Sequence, residues 1–228
     1  MATTNTEVGG SHAAIRRRYA NPRSAAKYPS VYKNIRRHQR ERNTILKLFR
    51  HIEPGAHVLD IPCGTGRVTR LLHEAGFRVT GGDSSQFMVD LARQNHAELQ
   101  QQSPSVPDVA FELRDVIDTG FDDNQFGAVF SNRLFHHFNE AETRRMGLAE
   151  LRRISSGPVI VSFFNSFALD AVTCRLRHLL TGTKAVDRIP ISMRTFAQDI
   201  AAAGLRIDAK VATRWGISRQ WYVVLRPA

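Results

Sequence analysis

The chain has 228 residues, 42% of them hydrophobic and 23% charged, with a formal net charge of +11. That is the balance of an ordinary globular protein, long enough for one α/β domain with an appendage. No apolar run approaches the ~18 residues needed to cross a bilayer, and the two cysteines, Cys63 and Cys174, offer neither a disulfide framework nor metal-ligand spacing.

Residues 1–14 show little periodicity and are expected to be disordered. The start lacks the apolar stretch of a secretory signal, so a reducing, cytoplasmic setting is expected. Between Ser24 and Ile52 two helix-like patterns follow. In the second, Ile45, Leu48, Phe49 and Ile52 recur at i, i+3, i+4 and i+7, an apolar stripe on a basic helix. The break "EPGA" at 53–56 sets off residues 1–55 as a basic helical extension or lid, and residues 56–228 as the main domain.

From there strands and helices alternate. "HVLDI" predicts a first strand and a helix from about Gly66 to Ala75 follows. "FRVTGGD" is a second strand, "SQFMVDLARQNHAELQ" a helix and "QSPSVP" a loop. "VAFELRD" and "FGAVFSN" are the third and fourth strands, and a helix over about 140–154 leads to a fifth, "GPVIVSFF". Short apolar runs alternating with helices predict a parallel sheet covered on both faces. Beyond an amphipathic helix at about 166–180, the loop "TGTKAVDRI" and a helix from Ser192 to Ala203, two strand-like runs lie only "RWGIS" apart. So short a link makes a hairpin that closes the sheet with an antiparallel edge. The fold class is α/β, a Rossmann-like doubly wound sheet of seven mostly parallel strands.

Ligands of such a sheet bind at the carboxyl ends of its strands. The first of these ends is "VLDIPCGTGRVTRLL", where Gly64 and Gly66 let backbone approach a ligand and a helix start supplies free N–H donors. No Lys-Ser/Thr pair follows, which removes a mononucleotide P-loop. A nicotinamide or flavin loop is weakened by Thr69 at the third glycine position but survives. An S-adenosylmethionine site needs acids at strand ends, and Asp60, Asp83 and Asp115 stand at three in succession.

With these residues together, the chain resembles the class I S-adenosylmethionine-dependent methyltransferases, in their small-molecule branch. "VLDIPCGTGR" is similar to the family's first motif, "VTGGDSSQFMVDLAR" to its ribose-binding strand and helix, "LRDV" to its adenine segment and "FGAVFSNRLFHHF" to its fourth-strand motif. The resemblance implies S-adenosyl-L-methionine as cofactor. Asp60, Cys63, Gly64 and Gly66 would hold its methionine part, and Asp83, Ser84 and Met88 its ribose. Asp115 and Val116 would hold its adenine, Asn132 would form the floor near the sulfonium, and Tyr28, with Tyr19, would belong to a lid. Pro62 departs from the family's usual glycine, and Gly127 from its usual aspartate.

Methyl transfer is an in-line displacement in which the protein contributes mainly alignment. A hydroxyl acceptor would gain from a base, for which His137 and its neighbour His136 are the candidates. The charge is unevenly spread: residues 1–55 hold 12 Lys and Arg against 3 acids, residues 56–142 hold 6 against 13, and residues 143–228 hold 14 against 5. Arg16, Arg17, Arg18, Arg36, Arg37 and Arg40 are expected to share a rim with Arg175, Arg177, Lys184 and Arg188 above an acidic floor. Such a rim would steer a small or glycolipid-type anionic acceptor. The 166–180 helix leaves peripheral contact with an anionic inner membrane surface open. RNA remains an alternative on charge alone but is not favoured, because stacking aromatics are sparse. A protein that binds the cofactor without catalysis is the other alternative. No metal site and no stable protein partner are expected.

Overall fold

A computed structural model describes residues 10–20, 35–103, 108–169, 173 and 189–228, with 35–37 as backbone only. Helix α1 (Gly10–Tyr19) precedes α2 (Ile35–Leu48), which runs on as a 3-10 turn through His51. Then come β1 (His57–Asp60), α3 (Arg67–Glu74), β2 (Arg78–Asp83), α4 (Gln86–Gln102), β3 (Ala110–Leu113) and β4 (Ala128–Ser131). After them stand a 3-10 turn (Phe135–His137), α5 (Ala141–Arg153), β5 (Val159–Phe164), α6 (Met193–Ala202), β6 (Leu205–Ala212) and β7 (Gln220–Pro227).

The seven strands lie in the order β3-β2-β1-β4-β5-β7-β6, with β1 to β5 parallel and β7 antiparallel to both its neighbours. The hairpin therefore closes the sheet with its second strand inserted between β5 and β6. Strand residues alternate between two cores, as a pleated sheet requires. Leu59, Val129, Val161 and Val223 face Leu148 and Leu151 of α5 and Phe196 and Ile200 of α6. Val58, Ala128, Phe130, Ile160 and Tyr222 face α3 and the stripe Ile45, Leu48, Phe49 and Ile52, all of which is buried.

Two expectations change. The chain is helical from Gly10, inside the stretch expected to be disordered, because α1 docks through polar side chains rather than through an apolar stripe. Strand β3 stops at Leu113, so Asp115 sits in the turn beyond it, not at its last position. Of the helix expected at 166–180 and the loop after it, only residues 166–169, 173 and 189 are described; Tyr28, Arg175, Arg177, Lys184 and Arg188 lie outside the described residues.

Candidate active site

The strand order reverses between β1 and β4, and a cleft opens there with about 970 Å³ of empty space, part of it open to solvent. Its walls come from the loop after β1 (Pro62, Cys63, Gly64, Thr65, Arg67, Val68), the end of β2 (Asp83, Ser84) and α4 (Met88). The segment after β4 (Asn132, Arg133, Leu134, His136, His137) and α1 (Ile15, Tyr19) complete them.

The β1 loop turns on two glycines in the left-handed region, Gly64 (φ +55°) and Gly66 (φ +79°). A Cβ on Gly64 would meet no protein atom within 4 Å, so the space that a side chain would fill is left open to a ligand. Gly66 starts α3, and a Cβ there would come within 3.2 Å of the Phe111 ring. Gly66→Ala is expected to lower stability by about 1–2 kcal/mol, from the φ cost alone before any crowding, measurable by urea denaturation. Pro62, joined to Ile61 by a cis peptide, leaves both glycine positions intact.

The acids serve different ends. Asp83 is buried; its Oδ2 accepts the Gly64 N–H at 3.0 Å and its Oδ1 the Ser85 N–H at 2.9 Å. Each oxygen keeps acceptor capacity towards the cleft. Burial above all, with the charge of Asp115 adding to it, lifts its pKa to about 6. Asp60 lies beneath the loop and, like Gly66, is not among the residues that line the cleft; its Oδ2 accepts from Thr69 Oγ1 at 2.7 Å, while Oδ1 is buried without a partner, and burial lifts its pKa to about 7. Cys63 packs against Val89, Ala92, Val109 and Phe111, and burial, then the charges of Asp83 and Asp60, push its thiol pKa well up. It is an inert core residue that lines the cleft, not a nucleophile.

Asp115 and Val116 do not line the cleft. Val116, in the turn after β3, packs into the larger core. Asp115 Oδ1 meets His12 Nε2 at 2.9 Å and the Ile117 N–H at 3.1 Å, with Arg16 Nε 3.6 Å from Oδ2. Burial opposes the charge of Asp115, but His12, Ile117 and Arg16 outweigh burial and hold the carboxyl below its usual range. Helix α1 is fastened at two more points: Ser11 Oγ donates to Glu140, and Ser85 Oγ donates to the Tyr19 carbonyl at 2.8 Å.

Beneath the β4 side lies a buried network that sequence reading did not anticipate. Glu41 of α2 accepts from Asn132 Nδ2 (3.1 Å) and Gln220 Nε2 (3.3 Å) at one oxygen, and from Arg67 (3.0 Å) at the other. Asn132 Oδ1 in turn accepts from Ser162 Oγ and Gln220 Nε2. Burial opposes the charge on Glu41, but Arg67, Asn132, Arg133 and Gln220 hold it below the usual range. The amide of Asn132 is thus committed to this network, although its side chain borders the cleft.

Both histidines line the cleft. His136 is buried and stacked on Phe164, with ring centroids 3.7 Å apart and 5° between planes. His137 is half-buried and meets the edge of Tyr19. Of the expected basic rim, Arg16, Arg17, Arg18 and Arg40 are exposed. Among the described residues no cluster of His, Cys, Asp and Glu could hold a metal ion.

Residues 58–156 match the sequence profile of a family described as a methyltransferase domain. Among curated proteins, the ubiquinone biosynthesis O-methyltransferase of Coxiella burnetii is 34% identical over 83 residues, 36% of this chain and 33% of that one. The demethylmenaquinone methyltransferase of Symbiobacterium thermophilum is 36% identical over 83 residues, 35% of this chain and 31% of that one. The alignments thus span about a third of the length of these relatives. Among solved structures, magnesium protoporphyrin IX methyltransferase from Synechocystis superposes with a TM-score of 0.73 at 16% identity, covering 96% of this chain and all of that one. Geranyl diphosphate C-methyltransferase from Streptomyces coelicolor gives 0.66 at 15%, covering 96% and 99%. These likenesses establish the fold.

Proposed function

We propose that this chain belongs to the class I S-adenosylmethionine-dependent methyltransferases and transfers a methyl group to a small, anionic acceptor; the methyltransferase-domain profile over residues 58–156 and the shared fold support this. The observation that supports it most is the Asp83 carboxylate, fixed through both oxygens by backbone N–H groups at the edge of a cleft with a glycine cradle and an unpartnered buried Asp60 oxygen beside it. The residues fit the cofactor: Asp83 takes the ribose hydroxyls, Asp60 and the Gly64 backbone the methionine part, and Val68 and Met88 supply apolar lining. The cofactor supplies a methyl group already activated on a sulfonium for in-line displacement. The chain supplies orientation, a cleft partly roofed by α1, and His137 as the base that takes a proton from a hydroxyl acceptor.

The small-molecule acceptor is favoured because curated relatives include a ubiquinone biosynthesis O-methyltransferase and a demethylmenaquinone methyltransferase. Among the described residues no helix is long and apolar enough to cross a membrane. Two measurements test the reading: calorimetric titration with S-adenosylhomocysteine, and labelled methyl transfer into fractionated small-molecule, lipid and RNA extracts. Absence of binding would overturn it. Label in the RNA fraction alone would favour the nucleic-acid alternative, and binding without transfer a non-catalytic role.

Affinity for the cofactor is expected to depend on pH. Its amino group is cationic and its ribose hydroxyls are donors, so both ends prefer ionised carboxylates. With Asp83 raised to about 6 and Asp60 to about 7, affinity should climb as pH rises through these values. The free protein should behave oppositely. The native state holds these two protons more tightly than the unfolded chain, so the contribution of both groups to stability declines as pH rises above the ordinary carboxylate range and through about 7. Titrations and melts at matched ionic strength from acid to neutral pH check both signs.

A further inference from the structure

One cleft residue is a backbone outlier. Arg133, two positions beyond β4, has φ +61°, a left-handed conformation that residues other than glycine adopt rarely and at an energetic cost. Its N–H donates to Ser162 Oγ at 2.7 Å, which fixes the twist. Glycine would meet this backbone requirement without strain, and strain retained at a cleft points to work done by the side chain.

The charges around it indicate what that work is. Two arginines, Arg67 and Arg133, are among the residues that line the cleft. Arg67 is engaged: it pairs with Glu41 at 3.0 Å, and its charge also acts on Asp60. Glu41 has both oxygens filled by Arg67, Asn132 and Gln220. Arg133 forms no ion pair with any described residue, yet it is half-buried and its charge reaches Glu41 and Tyr222. It is a surplus cation in a partly desolvated wall, on the same segment as His137. A planar guanidinium so placed suits two-point binding of a carboxylate or phosphate.

We propose that Arg133 anchors an anionic group, carboxylate or phosphate, of the methyl acceptor. The proposal rests on the methyl-transfer reading and adds the determinant of acceptor class. The cofactor carries a carboxylate of its own, so the test separates the two sources. Full-length protein saturated with S-adenosylhomocysteine is titrated with benzoate and with inorganic pyrophosphate, as wild type, Arg133→Gly and Arg133→Lys. The wild type should bind at least one of these anions saturably. Arg133→Gly should weaken that binding at least ~10-fold, and Arg133→Lys should restore part of it. S-adenosylhomocysteine affinity should stay within about threefold throughout, since the groups assigned to it are untouched.

Arg133→Gly relieves the φ strain and should melt no lower than wild type, so a loss of anion binding cannot be ascribed to unfolding. Three outcomes overturn the proposal: neither anion binds the loaded wild type, Arg133→Gly binds as well as wild type, or it loses S-adenosylhomocysteine to the same extent. The last result would assign the arginine to the cofactor's carboxylate. Failure of wild type to bind S-adenosylhomocysteine at all would instead sink the methyl-transfer reading, and anion titration of the unloaded protein would still decide the part played by Arg133.

Discussion

Asp83→Ala is expected to reduce affinity for S-adenosylhomocysteine by at least ~100-fold. Two hydrogen bonds from ribose hydroxyls to an ionised, pre-positioned carboxylate contribute about 1.5–3 kcal/mol each, and alanine removes both. The carboxylate is unusually well fixed, because Gly64 N–H and Ser85 N–H hold one oxygen each. Asp83→Asn keeps the shape but presents an NH₂ group to one of those donors, so it should lose nearly as much. Stability should change little in either variant. The loss of two backbone hydrogen bonds is offset by removal of a carboxyl whose ionisation burial already opposes. Calorimetric titration beside a thermal melt separates the two effects. Retained affinity in a folded Asp83→Ala protein would contradict the assignment of Asp83 to the ribose.

The largest effect on stability is expected at Asp199. Its carboxylate is 1% exposed and receives Arg144 Nε at 2.6 Å and Arg145 Nε at 3.1 Å. Arg144, itself buried, also donates to the carbonyls of Phe138 and Asn139, so one guanidinium ties α5 and α6 to the end of the segment that bears His136 and His137. Asp199→Ala leaves Arg144 as an unpaired buried cation. The cost is about 3–5 kcal/mol, or a fall in Tm on the order of 10 °C for a chain of this size. Arg145→Ala removes only the half-exposed partner and should cost less than about 1 kcal/mol. If the two variants melt alike, the buried pair is not what secures this corner.

Some of this was legible in the chain and some was not, for physical reasons. The strand-end positions of Asp60 and Asp83 were legible because each closes an apolar run, where periodicity marks the strand and the acid marks its end. The stripe from Ile45 to Ile52 was readable because one helix face carries it. Glu41 was not: on a basic helix an acid looks like one more solvated charge, and its partners Asn132 and Gln220 lie 91 and 179 residues away. Asp199 looked like an ordinary polar position on α6, since nothing local indicates that Arg144 faces it. Helix α1 gave no apolar rhythm because it is held by Ser11, His12 and Arg16. Asp115 was read as the last residue of its strand because a pattern gives a strand's centre better than its end, and β3 stops two residues short of it.

The Glu41 network has a consequence for the order in which the molecule is made. Its acid precedes its amide by 91 residues, and its last two members, Gln220 and Tyr222, lie in β7. A ribosome delivers Glu41 long before the groups that satisfy it, and loops this long close slowly. Until β7 slots in beside β5, Asn132 Oδ1 lacks the donors Gln220 Nε2 (3.2 Å) and Tyr222 Oη (3.4 Å), and the inner wall of the cleft is unfinished. The nascent chain can form its parallel strands early but can complete this wall only after β7 has emerged.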